Sequence, residues 1–181
     1  KQYLIIQDRP VLYYSLKAFE DSAVDEIVLV VGKGEEKFCR KEIVDKYGIS
    51  KVKAIVEGGK ERYHSVFEGL KQTSDADYVL IHDGARPFVN QDIIRRCMQE
   101  VQKYQACVVG MPVKDTIKIA DEEGYAKQTP DRKNVWMIQT PQTFSYALIY
   151  EAYEEMLKTE DTAITDDAMV LERIKGKKSK L

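Results

Sequence analysis

An apolar run that ends abruptly in charged and turn-forming residues constrains this sequence more than any other feature. Tyr78–Ile81 has the length and the apolar, partly branched side chains of a strand buried in a parallel sheet. His82, Asp83, Gly84 and Arg86 follow within five residues. Ligands of open α/β sheets bind just beyond the carboxyl ends of the strands. The pattern therefore predicts a ligand site here, although a plain strand-to-helix turn in which Arg86 pairs with Asp83 would give the same residues.

Strand and helix patterns alternate along most of the chain. Residues 27–31 and 52–56 are further apolar runs and, like Tyr78–Ile81, each precedes a segment with apolar residues at helical spacing. Residues 106–111 form another strand-length run, and residues 136–144 combine a short strand with Thr140-Pro141. Asn90 and Thr165 are predicted to cap the helices that follow them, the second with Asp166 and Asp167 as favourable charges at its positive end. Three strand–helix units in succession predict a parallel sheet with right-handed crossovers. The expected fold class is α/β, a Rossmann-like, mostly parallel sheet with helices on both faces and an inserted β-hairpin arm.

Two adjacent glycines mark the end of the strand at residues 52–56. Gly58 and Gly59 precede a helix and would let a ligand touch the backbone directly. Ser65 and Arg62 lie in the first turn of that helix and face the same crevice. A helix cap and a solvated arginine would explain these two side chains equally well.

The alternation of strands and helices breaks after the run at residues 106–111. Residues 113–119 alternate with period two, residues 121–124 form a turn, and residues 125–129 run back. We expect residues 113–135 to form a hairpin arm, of the kind found on a surface or in a subunit contact. It would be inserted in a single domain spanning residues 1–181.

The composition narrows the range of partners. With 28 Lys and Arg against 30 Asp and Glu, the net charge of −2 gives no basic excess for nucleic acid. No apolar run approaches the roughly 20 residues of a membrane-spanning helix. Cys39, Cys97 and Cys107 are scattered, which is typical of reduced, mostly buried thiols. We expect a cytoplasmic protein with no nucleic-acid partner and no membrane partner.

The residue types expected at the shared crevice favour phosphate chemistry. His64 and His82 have no convincing partners for a Ser-His-Asp triad, and ligands for zinc are too few. Cationic side chains and hydroxyls suit the binding and transfer of phosphates, where positioning and charge neutralisation do most of the catalysis. The residues that we expect at this crevice are Gly58, Gly59, Ser65, Asp83, Gly84, Arg86, Thr116, Arg132, Thr140 and Thr165, with Lys1 at the start.

An ordered set of short motifs resembles one enzyme family. The set resembles the signature of the 2-C-methyl-D-erythritol 4-phosphate cytidylyltransferases, which act in non-mevalonate isoprenoid biosynthesis. Each motif is weak alone, but the order along nearly the whole chain is specific. The motifs are Glu57-Gly-Gly-x-x-Arg-x-x-Ser65, His82-Asp-Gly-Ala-Arg-Pro87, Pro112-Val-Lys-Asp-Thr116, Thr129-Pro-Asp-Arg132, Trp136, Gln139-Thr-Pro-Gln142 and Thr165-Asp-Asp167.

The resemblance implies transfer of CMP from CTP to methylerythritol phosphate, with release of pyrophosphate. It implies catalytic roles for Lys1, which would neutralise the α-phosphate, and for Arg132, which would hold the attacking phosphate. Arg132 would reach the site from the other subunit of a homodimer that forms through the arm. Mg²⁺ would bind mainly through the CTP phosphates, and no protein ligand for it is identified. The implied nucleotide-binding residues are Gly58, Gly59, Ser65 and Gly84, and the implied substrate-binding residues are Asp83, Arg86, Thr116, Thr140 and Thr165.

Two departures from the family pattern accompany the resemblance. The family has a glycine-rich loop and a first strand ahead of the position of Lys1, and a further segment after that of Leu181. We expect both to lie outside these 181 residues. Lys60 stands where an acidic or small polar residue is common in the family, which leaves recognition of the base by this side chain open.

Three other functions are compatible with parts of the pattern. Ribitol-5-phosphate cytidylyltransferases share the fold and the Gln-Thr-Pro-Gln motif, but Thr129-Pro-Asp-Arg132 followed by Trp136 favours the methylerythritol enzymes. A sugar-nucleotide-binding module would need an Asp-x-Asp pair after a strand, whereas Asp75 and Asp77 precede one. A non-catalytic nucleotide-binding scaffold is the third alternative.

Overall fold

A computed structural model describes residues 1–159 and 164–181 of the chain. The helices are α1 (Val11–Glu20), α2 (Glu36–Cys39), α3 (Arg62–Leu70), α4 (Gln91–Tyr104), α5 (Tyr146–Met156) and α6 (Asp167–Lys175). The strands are β1 (Ile5–Ile6), β2 (Arg9–Pro10), β3 (Ile27–Val31), β4 (Val52–Glu57), β5 (Tyr78–Ile81), β6 (Ala106–Pro112), β7 (Ile119–Ala120), β8 (Ala126–Gln128) and β9 (Trp136–Ser145). A π-helical turn, Arg40–Asp45, continues α2, and a 3₁₀ turn, Arg132–Asn134, precedes β9.

The strand pairs are of mixed orientation. β3 and β4 pair in parallel, with Leu29 opposite Ile55. β5 and β6 each pair with β9 in the antiparallel sense, so they run in the same direction with β9 between them. The α/β class is confirmed, and parallel pairing is seen directly between β3 and β4. In the second sheet, β5–β9–β6, both pairings are antiparallel, which the alternation of strands and helices did not predict.

β9 is also longer than the short strand that its sequence indicated. It spans ten residues and its last half is buried, including the polar side chains of Gln142 and Thr143. Buried polar residues are uncommon unless they are hydrogen-bonded. The polar side chains of this segment did not indicate that it forms the centre of a sheet.

The sheet β5–β9–β6 and the pair β3–β4 each have their own hydrophobic core. α5 and α6 pack with β9 around Phe144, Ile149, Tyr153 and Leu171, all of which are completely inaccessible to solvent. The other core joins α1 and the α2 region to β3 and β4. Burial of one such side chain contributes on the order of 1.5–3 kcal/mol. The two cores fix the carboxyl ends of β3, β4 and β5, where the polar residues begin.

Helix caps place two of the polar segments. The Asn90 side chain accepts a hydrogen bond of 3.0 Å from the Ile93 amide, as predicted for the start of α4. Before α6 the cap is Asp166, whose side chain accepts a hydrogen bond of 2.8 Å from the Met169 amide. The predicted cap at Thr165 is therefore wrong by one residue. A carboxylate at the positive end of a helix is favoured over a hydroxyl by its charge. Thr165 is left exposed just ahead of the helix.

A small hairpin extends from the second sheet. β7 and β8 pair antiparallel, every residue of both strands is exposed, and the Val113 amide donates 3.0 Å to the Val135 carbonyl at the base. The paired strands are shorter than the predicted runs because residues 113–118 lie outside them. Elsewhere, Cys39, Cys97 and Cys107 are buried and unbridged, as predicted. None of the described helices combines the length and the apolar character needed to cross a membrane.

Candidate active site

A cleft of about 1280 Å³ runs along β3 and β5 and opens at the carboxyl ends of β3, β4 and β5. The edges of β3 and β5 that face it are apolar, whereas its polar end is formed by the segments that follow the strands. Five of the predicted site residues line it, and Lys1 lies beside two further lining residues, Gln2 and Tyr3. The five are Gly58, Gly59, Ser65, Asp83 and Gly84.

The turn after β4 requires both of its glycines. A Cβ atom at Gly58 would lie 2.6 Å from the Ser65 hydroxyl oxygen, and one at Gly59 would lie 2.3 Å from the Cβ of His64. The Ser65 hydroxyl oxygen accepts 3.1 Å from the Gly59 amide and lies 3.2 Å from the Glu61 carbonyl, to which it can donate. Ser65 therefore shapes this turn, and the exposed backbone of the two glycines forms one wall of the cleft.

Asp83 lies between two arginines. Arg62 Nε donates to its Oδ1 at 3.3 Å, and Arg86 Nε donates to its Oδ2 at 2.8 Å. Burial alone would raise the pKa of Asp83, but the Arg86 hydrogen bond and the charges of both arginines hold it below the ordinary value. Asp83 is therefore ionised at neutral pH, and the predicted pairing with Arg86 is present at the candidate site itself.

Arg62 also forms a buried ion pair across the site. Its two terminal nitrogens donate to the two carboxylate oxygens of Asp167 at 2.8 and 2.7 Å, and the Tyr153 hydroxyl donates to Asp167 at 2.6 Å. The Asp167 side chain is completely buried. Burial would lower the pKa of Arg62, but the hydrogen bonds and the charge of Asp167 raise it. Burial raises the pKa of Tyr153, and the charge and hydrogen bond of Asp167 raise it further. Arg62 is therefore held by a buried carboxylate, although 38% of its own side chain stays exposed to solvent. This bidentate pair ties α3 to α6.

Gln142 also anchors α6, through hydrogen bonds that join it to β9. Its Oε1 accepts 2.9 Å from the Ala168 amide, and its Nε2 donates 3.2 Å to Asp166. Arg62 was expected to face the crevice and Gln142 and Asp167 belong to the family motifs, but their contacts with each other's elements and with Tyr153 were not predicted. Asp167 is the first residue of α6, where a carboxylate is favourable without a side-chain partner, so no local signal indicated its burial.

Thr140 and His82 join β9 to the end of β5. The Thr140 hydroxyl oxygen lies 2.9 Å from His82 Nδ1 and accepts 3.2 Å from the Asp83 amide. His82 Nε2 lies 3.1 Å from the Arg86 carbonyl oxygen, and the Arg86 guanidinium donates to Gln139 Oε1. Burial lowers the pKa of His82, so its imidazole is neutral at pH 7. The structure thus brings Thr140 and Arg86 together with Asp83.

The remaining predicted residues lie apart from this cluster. Arg132 is exposed on the arm and donates 3.1 Å to the Lys114 carbonyl, and Thr116 is exposed on the same segment. The Thr165 hydroxyl is 3.8 Å from the Met169 sulfur. Within residues 1–159 and 164–181, no side-chain hydrogen bond or ion pair joins Arg132 or Thr116 to the cleft residues.

The site offers little to hold a metal ion directly. No group of three or more His, Cys, Asp or Glu side chains with metal-binding geometry occurs in the part of the chain that the structure describes. The carboxylate oxygens of Asp83 are both engaged by arginines. Mg²⁺ keeps several waters and binds through substrate phosphates at many sites of phosphate transfer, so a nucleotide-borne ion is compatible with these residues.

The chain is similar throughout its length to one group of enzymes. The family model described as 2-C-methyl-D-erythritol 4-phosphate cytidylyltransferase matches residues 1–181. A protein of that name from Lachnospira eligens is 52% identical over 183 residues, covering 100% of this chain and 80% of the relative. Another from Lachnoclostridium phytofermentans is 49% identical over 172 residues, covering 95% of this chain and 74% of the relative.

The fold is similar to solved structures of proteins with the same or an equivalent name. The crystal structure of 4-diphosphocytidyl-2C-methyl-D-erythritol synthase from Anaerococcus prevotii matches with a TM-score of 0.88 and 36% identity, covering 97% of this chain and 77% of that chain. The crystal structure of 2-C-methyl-D-erythritol 4-phosphate cytidylyltransferase from Thermus thermophilus matches with a TM-score of 0.81 and 31% identity. It covers 100% of this chain and 82% of that chain. From the full-length family match and these identities, we conclude that the chain belongs to the 2-C-methyl-D-erythritol 4-phosphate cytidylyltransferase family.

Proposed function

We propose that this chain transfers CMP from CTP to 2-C-methyl-D-erythritol 4-phosphate and releases pyrophosphate, a step in isoprenoid precursor biosynthesis. The observation that carries the proposal is the family match over residues 1–181. The polar end of the cleft supports it, since glycine backbone, a carboxylate and two arginines converge there. Such groups suit a nucleotide and a polyol phosphate held side by side.

The nucleotide is assigned to the glycine side of the cleft. Gly58, Gly59 and Ser65 would hold the cytosine through exposed backbone and a hydroxyl, and Gly84 would lie against the ribose. A Cβ at Gly84 would come within 2.9 Å of the Leu12 side chain, so a larger residue would have to push into the cleft or into α1. Close approach of backbone to a ligand is a common reason for glycine at such positions.

The acceptor is assigned to the side where β5, β9 and α6 meet. Asp83 and Thr140 offer acceptors for the polyol hydroxyls, and Arg86 supplies positive charge. Thr165 lies at the start of α6, and Thr116 would approach from the arm. Asp83 is ionised through its arginine neighbours, which supports a role in binding hydroxyl protons.

The proposed chemistry is displacement at the α-phosphorus of CTP by the acceptor phosphate. The second pKa of a phosphate monoester is about 6, so the nucleophile is anionic at neutral pH and no general base is required. Catalysis then consists of positioning and charge neutralisation. Lys1 would neutralise the α-phosphate and Arg132 would hold the attacking phosphate. Mg²⁺, carried by the triphosphate, would add charge neutralisation on the phosphate oxygens.

Arg132 would act on the cleft of a second subunit in a homodimer. Its exposure on the arm, away from the cleft of its own chain, supports this assignment. Large apolar side chains are exposed on and beside the arm, a feature that marks interaction surfaces. They are Met111, Ile119, Tyr125, Trp136 and Met137. The unbridged cysteines and the balanced charge support a cytoplasmic location and small-molecule substrates, without nucleic acid.

Pyrophosphate release tests the proposed function. The protein is mixed with CTP and Mg²⁺ and offered methylerythritol phosphate or ribitol 5-phosphate as acceptor. We expect release with methylerythritol phosphate alone. Release only with ribitol 5-phosphate would overturn the acceptor, and release with neither would leave a nucleotide-binding scaffold as the better account.

A further inference from the structure

The hydrogen bonds of His82 determine which of its ring nitrogens carries the proton. Nε2 lies 3.1 Å from the carbonyl oxygen of Arg86, and a carbonyl oxygen can only accept. The proton of the neutral ring therefore resides on Nε2. Nδ1 is then an acceptor, and its partner at 2.9 Å is the hydroxyl of Thr140. The ring also packs against Phe19 of α1, with centroids 5.2 Å apart and an interplanar angle of 58°.

This tautomer fixes the direction of the Thr140 hydroxyl. A threonine hydroxyl has one proton to donate and two lone pairs that accept. The proton is directed to His82 Nδ1, and one lone pair accepts from the Asp83 amide at 3.2 Å. Thr140 has only 9% of its surface exposed. What it can offer a ligand is the second lone pair, and a phosphate oxygen, which also only accepts, gains nothing from it.

We propose that His82 is a positioning residue that makes Thr140 a hydrogen-bond acceptor, so that Thr140 binds a hydroxyl of the polyol and not its phosphate. This inference rests on the proposed function, because it assigns Thr140 to the acceptor side of the cleft. The neighbouring side chains are consistent with this assignment. The ionised Asp83 can also accept hydrogen bonds from polyol hydroxyls, and cationic side chains would bind the phosphate. His82 thereby contributes to specificity without touching the substrate.

Protonation of His82 would reverse the polarity of Thr140. With both ring nitrogens acting as donors, the Thr140 oxygen would accept from Nδ1 and from the Asp83 amide, and its own proton would turn outward. Burial and the Arg86 charge lower the pKa of His82, while the Asp83 charge and the Arg86 and Thr140 hydrogen bonds raise it; the net shift is downward. α1 contributes the uncharged ring of Phe19. The accepting form of Thr140 is therefore the one present at neutral pH.

A matched pair of substitutions separates the two hydrogen bonds of the ring. In His82→Asn the side-chain oxygen can replace Nδ1 as acceptor for Thr140, and the bond to the Arg86 carbonyl is lost. In His82→Gln the amide nitrogen can replace Nε2 as donor to Arg86, and the acceptor for Thr140 is lost. We expect His82→Gln to raise the KM for methylerythritol phosphate about tenfold with little change in the KM for CTP. We expect His82→Asn to raise it far less.

Thr140 variants test whether His82 acts through the hydroxyl. We expect Thr140→Ser to retain the wild-type acceptor KM and Thr140→Val to raise it. Adding His82→Gln to Thr140→Val should have no further effect on that KM, whereas independent structural roles would add. Equal effects of His82→Asn and His82→Gln, or full additivity, would overturn the inference.

Imidazole ¹⁵N chemical shifts of the wild-type protein give a readout that does not depend on turnover. We expect the neutral tautomer with its proton on Nε2 at pH 7, and a proton on Nδ1 would overturn the inference. A wild-type protein that releases no pyrophosphate would instead refute the proposed function. The two failures are thus distinguishable.

Discussion

The two halves of the candidate site differ in how the chain holds them. Around the cleft, Asp83, Arg62, Asp167 and Tyr153 form a continuous network in which the carboxylate of Asp167 is completely buried. On the arm, Arg132 is exposed, and its guanidinium donates to the Lys114 carbonyl. A buried, fully bonded network is preorganised, whereas an exposed side chain is free to change partners. This contrast supports the proposal that one chain assembles the cleft and that the arm acts on the cleft of a second chain.

Breaking the buried network should give the largest effect. Asp167→Asn keeps the shape of the side chain but removes the charge that Arg62 and Tyr153 contact, so we expect the free energy of unfolding to fall by about 3 kcal/mol. Urea denaturation measures it. Arg95→Gln on α4 is the matched control, because its ion pair with Asp92 is exposed and should contribute less than about 1 kcal/mol. Equal losses in the two variants would contradict a preorganised cleft.

The arm should show the opposite behaviour. Arg132→Ala removes the positive charge that we propose holds the attacking phosphate. We expect kcat/KM for methylerythritol phosphate to fall roughly 100-fold, as for the loss of one transition-state donor. The free energy of unfolding should stay within about 0.5 kcal/mol of the wild type, because the side chain is exposed. Lys133→Ala on the same 3₁₀ turn is the control. A similar loss of activity there would indicate a nonspecific role for the arm.

The glycine wall allows a test of the nucleotide side. Gly59→Ala places a Cβ that would lie 2.3 Å from the Cβ of His64, so the turn must shift. Crowding of this kind costs about 1–3 kcal/mol, and we expect the KM for CTP to rise about tenfold. Gly124→Asn is the control, since its turn on the arm has open space and a φ of +88° that asparagine tolerates better than most residues. An unchanged KM in Gly59→Ala would remove the turn from the nucleotide site.

The smallest expected effect is a pH dependence of stability from His82. Its pKa is lower in the folded chain than the ordinary value of about 6.5, so the unfolded chain binds the proton more readily. The contribution of His82 to the free energy of unfolding is therefore fully present above about pH 6.5. It is lost as the pH drops below that value, by at most about 1.4 kcal/mol per pH unit. Urea midpoints between pH 7.5 and 5 measure this. His82→Gln should show a shallower decline, and identical slopes would contradict a neutral buried ring.

The sequence predicted the parts of the site that are contiguous in the chain. The strand Tyr78–Ile81 with Asp83 and Arg86 beyond it, and the two glycines after β4, lie at the cleft as expected. Local patterns carry such information because a strand end and a turn are set by neighbouring residues.

The buried ion pair could not be predicted in the same way. Arg62 and Asp167 are 105 positions apart in sequence, and each had a sufficient local explanation, as a solvated side chain and as a favourable charge at a helix start. Likewise Gln142 looks like a surface residue until β9 is placed between two strands. Only the three-dimensional arrangement supplies the partners that make burial of these groups favourable.

Mixing two inactive variants tests the central claim most directly. Arg132→Ala lacks the arm arginine and Asp83→Asn is altered in the cleft, so a mixed dimer would contain one site with both wild-type parts. If the arm acts on the partner, pyrophosphate release from an equimolar, fully exchanged mixture should recover to about a quarter of the wild-type rate, because half of the dimers are mixed. A mixture no more active than its two components would contradict the division of the site between two chains.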